Sequence, residues 1–228
     1  MAESDFRWEF VARYISEHGL DPRAETTFTK VELSAASWLR VRSNWHWSYP
    51  QPESGYESVT YAPGFCTKYS SGKVQTAPFR MKTTQKSGKR HFLSLNSVYD
   101  ELFTGDAAAL GLSVRKILNK SGETVLPGVH QVDIPHILAP AFLPDAQTVR
   151  KTYTCPVCGT AKHVTRGAGM LRFRWESFDG APATCKTAEV FGDGALCCRN
   201  ILIDQQLYRR IIGEKMDSGL VLEPVELV

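Results

Sequence analysis

The alternation of apolar and polar residues along this chain predicts mostly short strands, with helices at a few places. A helix that begins after Ser4 or Asp5 would place four apolar residues on one stripe that packs on a core: Phe6, Phe10, Tyr14 and Ile15. A second helix is predicted over residues 95–110, and a third begins after the capping residue Asp204. Strands are expected in eight ranges: 28–41, 73–83, 91–93, 114–118, 124–132, 171–175, 199–203 and 220–227.

Two turns and the regular ending complete the expected topology. The turns at residues 85–88 and 119–122 are each expected to join the strands before and after them as a hairpin. The chain then ends in a strand-helix-strand unit. Together these elements predict an α+β fold with mostly antiparallel sheets, hairpin knuckles and about three packed helices. Residues 1–62 are assigned to an N-terminal helix and strand segment and residues 63–228 to the main domain, and the two are expected to form one compact unit.

Composition and charge are typical of a globular protein with reduced cysteines. The chain has 228 residues, 43% of them hydrophobic, and its net charge of +3 does not by itself imply a polyanionic partner. Its start lacks a basic stretch followed by an apolar one, and no window approaches about eighteen apolar residues, so neither a signal peptide nor a membrane span is predicted. Six cysteines are too few for a disulfide-stapled scaffold of this size, which favours a cytoplasmic protein.

One segment carries the clearest chemistry, the sequence Cys155-Pro156-Val157-Cys158-Gly159. Two thiolates three positions apart in a tight turn can hold one tetrahedral metal ion, and Gly159 accepts the left-handed backbone that follows the turn. A redox pair of the thioredoxin type would instead place the cysteines where a strand enters a helix. The residues after Gly159 indicate a hairpin. We therefore interpret the segment as a zinc knuckle, which supplies two of four ligands.

A second segment repeats this pattern incompletely. Residues 66–74 can be aligned with residues 155–164 so that the first cysteine and a lysine coincide. In this alignment Tyr69 stands at the position of Cys158, and Ser70 stands at the position of the glycine. Two complete knuckles that face each other would form a four-cysteine zinc ribbon, so one thiol of that set is missing here.

Beyond the knuckles, several short runs resemble the double-CXXCG motif family, first defined as a group of myxobacterial paralogues. The runs are residues 72–75, 78–82, 91–101, 155–159 and 191–195. The resemblance extends from about Cys66 to the C-terminus, whereas the residues before it match no pattern of that family. Some members are immunity proteins paired with contact-delivered toxins. The resemblance therefore implies a bacterial, cytoplasmic, zinc-binding protein that neutralises a cognate toxin.

The family pattern implies two pairs of cysteine ligands, and this chain departs from it at Tyr69. Cys66, Cys155 and Cys158 remain as a candidate three-thiolate site, for which zinc is the expected ion. Four residues are candidates to replace the missing ligand: His163, Cys185, Cys197 and Cys198. The last two are adjacent and would point to opposite faces of a strand, so both cannot easily bind one ion. Alternatively, the metal has been lost and Tyr69 fills the space between two directly packed hairpins.

The sequence lacks the motifs of common active sites, such as H-E-x-x-H, G-x-S-x-G or a phosphate-binding loop. A pair such as Cys66 with His91 or His163 can still be assembled by a fold, although nothing in the sequence singles it out. We therefore expect a protein without catalytic residues that binds its toxin through a protein interface. The expected contacts are three residues of an aromatic loop and three of a basic stretch: Trp45, Trp47, Tyr49, Lys86, Lys89 and Arg90.

The alternative function is a zinc-ribbon protein that binds nucleic acid. Basic residues flank the cysteine motifs, and Phe173 and Trp175 interleave with Arg172 and Arg174. Alternation along a strand would turn both rings into the core and both guanidinium groups to solvent, which weakens this hypothesis. Nucleic-acid and membrane partners are therefore not expected.

Overall fold

The computed structural model describes residues 7–18, 26–44, 46–47, 56–69, 71–81, 90–95, 100–167, 169–194 and 197–228. The helices in these ranges are α1 (Arg7–Glu17), α2 (Lys30–Ala35), α3 (Tyr56–Thr60), α4 (Ala107–Leu110) and α5 (Gln205–Gly213). The first seven strands are β1 (Trp38–Ser43), β2 (His46–Trp47), β3 (Arg80–Met81), β4 (Phe92–Leu95), β5 (Glu101–Phe103), β6 (Val114–Asn119) and β7 (Val125–Val132). The remaining strands are β8 (Val149–Thr154), β9 (Ala161–Thr165), β10 (Arg172–Phe173), β11 (Thr184–Phe191), β12 (Cys198–Asp204), β13 (Leu220–Pro224) and β14 (Glu226–Leu227). None of the helices in the described ranges has the length and apolar character needed to cross a membrane.

Most strands of the described ranges belong to two six-stranded sheets. The first sheet has the order β13-β1-β12-β11-β9-β8, and the second has the order β2-β4-β5-β7-β6-β3. Most neighbours are antiparallel, while β10 and β14 form a separate short parallel pair. The predicted α+β fold with mostly antiparallel sheets is therefore confirmed.

The two sheets share one hydrophobic cluster. It combines Leu39 and Ile203 of the first sheet with Phe92 and Phe103 of the second, and the apolar face of α5 closes it. Full burial of such a side chain stabilises the fold by roughly 1.5–3 kcal/mol. Two further clusters among the described residues each pack on one sheet alone. The shared cluster thus holds the sheets together at one place, and the cysteine motifs lie elsewhere.

Two predicted units are confirmed. β6 and β7 form an antiparallel hairpin, in whose turn the side-chain oxygen of Asn119 accepts a hydrogen bond from the Gly122 N–H at 3.0 Å. At the end of the chain, the Asp204 carboxylate accepts from the Leu207 N–H at 2.7 Å and caps α5 between β12 and β13. In both units the residues that form the turn or the helix cap can be recognised directly in the sequence.

The predicted helix over residues 95–110 is wrong. In the described part of this range, strand β5 precedes the four-residue helix α4. Leu102 and Phe103 are adjacent and fully buried, yet they belong to different hydrophobic clusters. A strand covered on both faces produces this pattern, and periodicity over so short a run does not distinguish it from a helix.

The predicted hairpin between strands 73–83 and 91–93 is also wrong. β3 is the edge strand of the second sheet and pairs in parallel with β6, whereas β4 lies between β2 and β5. The turn proposed for residues 85–88 lies outside the described residues. The sequence indicated strands here, but alternation specifies which face is buried and not which strand is the neighbour.

The N-terminal segment differs from its prediction in two ways. In α1, the side chains of Phe10 and Tyr14 are 62% and 48% exposed, so this stripe does not pack on a core; Phe6 lies outside the described residues. Residues 28–41, expected to contain short strands, hold most of β1 but also the helix α2 before it. A capping box starts that helix, because the Glu32 N–H donates to Thr29 Oγ1 at 3.2 Å and the Thr29 N–H donates to the Glu32 carboxylate at 2.6 Å.

The strand predicted at residues 171–175 is shorter than expected. Only Arg172 and Phe173 pair as β10, and Trp175 begins a 3-10 turn (Trp175–Phe178). Phe173 is fully buried, but Trp175 is 57% exposed. The expectation that both rings lie in the core is therefore wrong for Trp175, because the change of backbone conformation interrupts the alternation.

Candidate metal centre

The second knuckle (residues 155–159) is the turn of the antiparallel hairpin between β8 and β9 in the first sheet. The Cys155 N–H donates to the Thr160 carbonyl at 2.9 Å, and the Gly159 N–H donates to the Cys155 carbonyl at 2.9 Å. Gly159 has a φ of +71°, the left-handed conformation that glycine adopts at little cost. The two cysteines therefore lie in a strand-turn-strand unit, as a knuckle requires, and not where a strand enters a helix.

The first knuckle (residues 66–72, of which residue 70 is not described) has one backbone hydrogen bond in common with the second. The Cys66 N–H donates to the Ser71 carbonyl at 2.9 Å, with the same spacing of five residues as in the second knuckle. An antiparallel bridge between Tyr61 and Gln75 closes the base of the turn. Tyr61 is part of the hydrophobic cluster that packs on the second sheet. The two knuckles are thus anchored to different sheets.

The knuckles bring three thiols together. The Sγ atoms of Cys66, Cys155 and Cys158 lie within 4.8 Å of one another, and those of Cys66 and Cys155 are 3.6 Å apart. Four sulfurs around one tetrahedral zinc ion, each about 2.3 Å from the metal, are separated by about 3.8 Å. The three cysteines expected from the sequence therefore could hold one metal ion between the sheets.

Cys158 has the electrostatics of a thiolate ligand. Its Sγ lies 3.3 Å from Ser71 Oγ of the first knuckle and 3.2 Å from Thr160 Oγ1. Hydrogen bonds with these groups, that with Ser71 first, lower the pKa of Cys158 to about 6. Because the thiolate and not the thiol binds metals, this environment prepares the exposed Cys158 for metal binding at neutral pH.

Tyr69, which replaces the expected cysteine, packs against a buried lysine. Lys162 is only 1% exposed, its Nζ lies 4.1 Å from the centroid of the Tyr69 ring, and it donates to the Gly194 carbonyl at 2.6 Å. An ammonium group over an aromatic face is stabilising, and more so when it is desolvated. The ring therefore joins the first knuckle to β9, the strand that follows the second knuckle.

Three of the four candidate substitute ligands have other surroundings. Cys185 is fully buried in the hydrophobic cluster of the first sheet, and burial raises its pKa to about 12. The His163 ring packs against Phe191 with centroids 5.7 Å apart. Cys198 donates to the Phe191 carbonyl at 3.7 Å, and burial raises its pKa to about 11. Burial raises the pKa of Cys197, the fourth candidate, and its Sγ is not among the sulfurs that lie within 4.8 Å of one another.

The predicted partner-binding residues are only partly described. Four of them lie outside the described residues: Trp45, Tyr49, Lys86 and Lys89. Trp47 lies in β2, whose backbone pairs in parallel with β4. Arg90 precedes β4, and its carbonyl accepts a hydrogen bond from Thr104 Oγ1 at 2.8 Å. Their role in binding remains a prediction.

Two features of the site were not recognised from the sequence. The hydroxyls of Ser71 and Thr160 both lie five residues after the first cysteine of their knuckle, so the alignment of the two segments already contained this signal. The burial of Lys162 was missed because a lysine on a strand is usually solvated. Its counterpart Lys73 also lies over aromatic rings, 5.1 Å from the centroid of Tyr61.

No protein-family model, no curated protein and no solved structure matches this chain.

Proposed function

We propose that this chain is a binding protein without catalytic residues, in which one zinc ion held by thiolates of both knuckles fixes the two sheets relative to each other. The convergence of Cys66, Cys155 and Cys158 carries this proposal, because three cysteines from two separate knuckles have Sγ atoms within 4.8 Å of one another. Sites built from sulfur ligands are characteristic of structural zinc, whereas catalytic zinc sites typically use histidine and carboxylate ligands and keep a position for water. Soft thiolates also favour zinc over hard ions such as Mg²⁺ or Ca²⁺.

The biological role that we propose is neutralisation of a cognate toxin in the cytoplasm. Its support is the resemblance of the runs around both knuckles to the double-CXXCG motif family. A protein that occludes a toxin's active site benefits from a rigid surface, since ordering flexible groups on binding costs affinity. A metal ion between the two sheets would provide that rigidity. Candidate contacts are the aromatic loop with Trp45, Trp47 and Tyr49 and the basic stretch that ends at Arg90.

A nucleic-acid-binding role is the second candidate, and one observation favours it. Trp175 is 57% exposed and the adjacent Arg174 is also exposed, so a base could stack on this ring. Arg172, however, is paired with Glu226 at 3.0 Å, and Glu176 is exposed beside Trp175. These carboxylates oppose a polyanion, and we rank the protein-binding role first.

The test begins with capture of partners by the tagged protein from lysate of its native host, with and without nuclease. A stoichiometric protein partner that survives nuclease should then arrest growth when it is expressed alone, and coexpression of this chain should restore growth. The matched variant replaces Trp45, Trp47 and Tyr49 by alanine while keeping the cysteines. Partners that disappear with nuclease would overturn the toxin proposal in favour of nucleic-acid binding.

A further inference from the structure

One contact between the two knuckles contains no ligand sulfur. The ring centroid of Tyr69, in the first knuckle, lies 4.1 Å from Nζ of Lys162, in β9. β9 is the strand that leaves the second knuckle, and it belongs to the first sheet. The first knuckle is anchored to the other sheet through Tyr61. This contact therefore connects the knuckles of the two sheets without using any of the three thiols.

The first sheet fixes the position of the lysine. Lys162 Nζ donates to the Gly194 carbonyl at 2.6 Å, in the loop after β11. That loop is bound in turn to β9, because the Gly192 N–H donates to the His163 carbonyl at 3.0 Å. Lys162 is 1% exposed, and an ammonium group is costly to bury unless nearby groups stabilise its charge. The first knuckle therefore meets this ammonium group at a fixed place.

The tyrosine belongs to the turn that carries Cys66. The Cys66 N–H donates to the Ser71 carbonyl at 2.9 Å, and Tyr69 lies inside the loop that this hydrogen bond closes. Cys66 is 7% exposed, and its Sγ is 3.6 Å from Cys155 Sγ. Contact between the ring and the lysine therefore places the thiol of the first knuckle beside those of the second.

We infer that the ring of Tyr69 and the ammonium group of Lys162 form a clasp that positions Cys66 against the second knuckle without a metal ion. As a device that prepares the metal centre, the clasp rests on the zinc site proposed above. A cation over an aromatic face is stabilising, and more so when it is desolvated, as Lys162 is. Because the clasp already brings the three sulfurs together, less of the binding free energy of the ion is needed to bring the knuckles together. Tyr69, at the position of the expected ligand, thus links the knuckles by a different interaction.

The first test measures how fast iodoacetamide labels Cys66 in chelated protein, with peptide mass spectrometry as the readout. A thiol that is 7% exposed reacts mainly when the knuckles separate, so the rate reports the population of the separated state. Y69L should raise this rate about tenfold because it removes a desolvated cation–π contact, whereas Y69F keeps a ring and should resemble the wild type. Cys185, which is fully buried in the cluster of the first sheet, should stay unlabelled and shows that the chain remains folded. A wild-type rate in Y69L would refute the clasp.

The second test repeats this comparison in the K162M background and, separately, in the presence of excess zinc. Without the ammonium group, Y69L should change the rate of Cys66 labelling little; the same tenfold increase in both backgrounds would mean that the ring acts without the lysine, and would refute the pair. With zinc, Cys66 should be protected in the wild type and in Y69L alike, because the metal then holds the knuckles together. Labelling that zinc does not slow, with the tenfold difference still present in chelated protein, would contradict the proposed zinc site and leave the clasp intact.

Discussion

The two knuckles share a backbone hydrogen bond and differ in their ligands. In both turns the first cysteine donates its N–H to the carbonyl five residues later, at 2.9 Å in each case. The second knuckle offers two thiols, Cys155 and Cys158, whereas the first offers Cys66 alone and places Tyr69 where the other is expected. This hydrogen bond therefore does not depend on a complete pair of thiols.

Side chains also connect the two knuckles to each other. Ser71 Oγ of the first knuckle lies 3.3 Å from Cys158 Sγ of the second knuckle. The Tyr69 ring of the first knuckle packs over the ammonium group of Lys162 in β9, the strand that follows the second knuckle. The knuckle at residues 155–159 is a turn between two strands of the first sheet. The knuckle at residues 66–72 is anchored to the other sheet, the second, through Tyr61. A metal ion between the knuckles would therefore stabilise the contact between two sheets, in addition to each turn.

The largest effect should come from replacing both cysteines of the second knuckle. C155S/C158S deletes two of the proposed ligands, so zinc binding should be lost and the free energy of unfolding should fall by roughly 3 kcal/mol or more. Thermal denaturation with and without a chelator measures this. The control C198S removes a thiol with other contacts and should keep its response to chelator. An unchanged melting temperature in the double variant would show that the pair is not structural.

The next effect concerns restoration of the missing ligand. Because the first knuckle keeps the hydrogen bond from the Cys66 N–H to the Ser71 carbonyl, we expect Y69C to place a thiol at the position equivalent to Cys158. In the otherwise unchanged chain, Y69C should tighten zinc binding about 100-fold by completing a set of four thiolates, since one of four ligands carries about a quarter of the binding free energy of a structural site. Competition with a chelator of known affinity gives the Kd values.

The control for this experiment is Y69S, which removes the ring without adding a thiol. Equal zinc affinities in the Y69S and Y69C variants would mean that the first knuckle cannot accept a second ligand.

A smaller effect tests the hydroxyl that crosses from one knuckle to the other. In chelated protein, the rate of Cys158 alkylation should rise through pH values near 6, because hydrogen bonds with Ser71 and Thr160 lower the pKa of this thiol to about 6. S71A removes the first of these causes and should shift the profile to higher pH. Alkylation is followed at a series of pH values by peptide mass spectrometry, with S121A, far along the chain in the β6–β7 turn, as the control. A wild-type profile in S71A would contradict the proposed contact.

The smallest effect concerns the glycine that the first knuckle lacks. Gly159 has a φ of +71°, and an added Cβ would meet nothing within 4 Å, so G159A should cost only the backbone strain of about 1 kcal/mol. Gly180 has a φ of +69° and equally open surroundings, which makes G180A a matched control away from the cysteines. Chemical denaturation of both variants should give similar losses. A much larger loss for G159A would mean that the turn must deform to bind the metal.

The sequence predicted those parts of the molecule whose signals are local. The cap at Asp204, the hairpin turn at Asn119 and the knuckle at Cys155 each depend on residues a few positions apart, and all three are found. The helix predicted over residues 95–110 failed because burial on both faces, at Leu102 and Phe103, imitates helical periodicity over a short run.

The sequence identified which cysteines form the candidate metal centre, but it did not predict how these cysteines are arranged in space. The alignment of two segments identified Cys66, Cys155 and Cys158, but their approach depends on how the sheets carrying the two knuckles pack, which no local pattern encodes. The same limit applied to the fourth ligand. The sequence offered His163, Cys185, Cys197 and Cys198 as substitutes, and none of them lies in the cluster of three sulfurs.

The most direct test of the zinc-linked knuckles is native mass spectrometry of the purified wild-type chain after exposure to zinc and removal of the excess. We predict one zinc ion per chain, retained in wild-type protein and absent in C155S/C158S. A wild-type chain that emerges with no zinc, and with a melting temperature unaffected by chelator, would contradict the account. The two hairpins would then be held by packing alone.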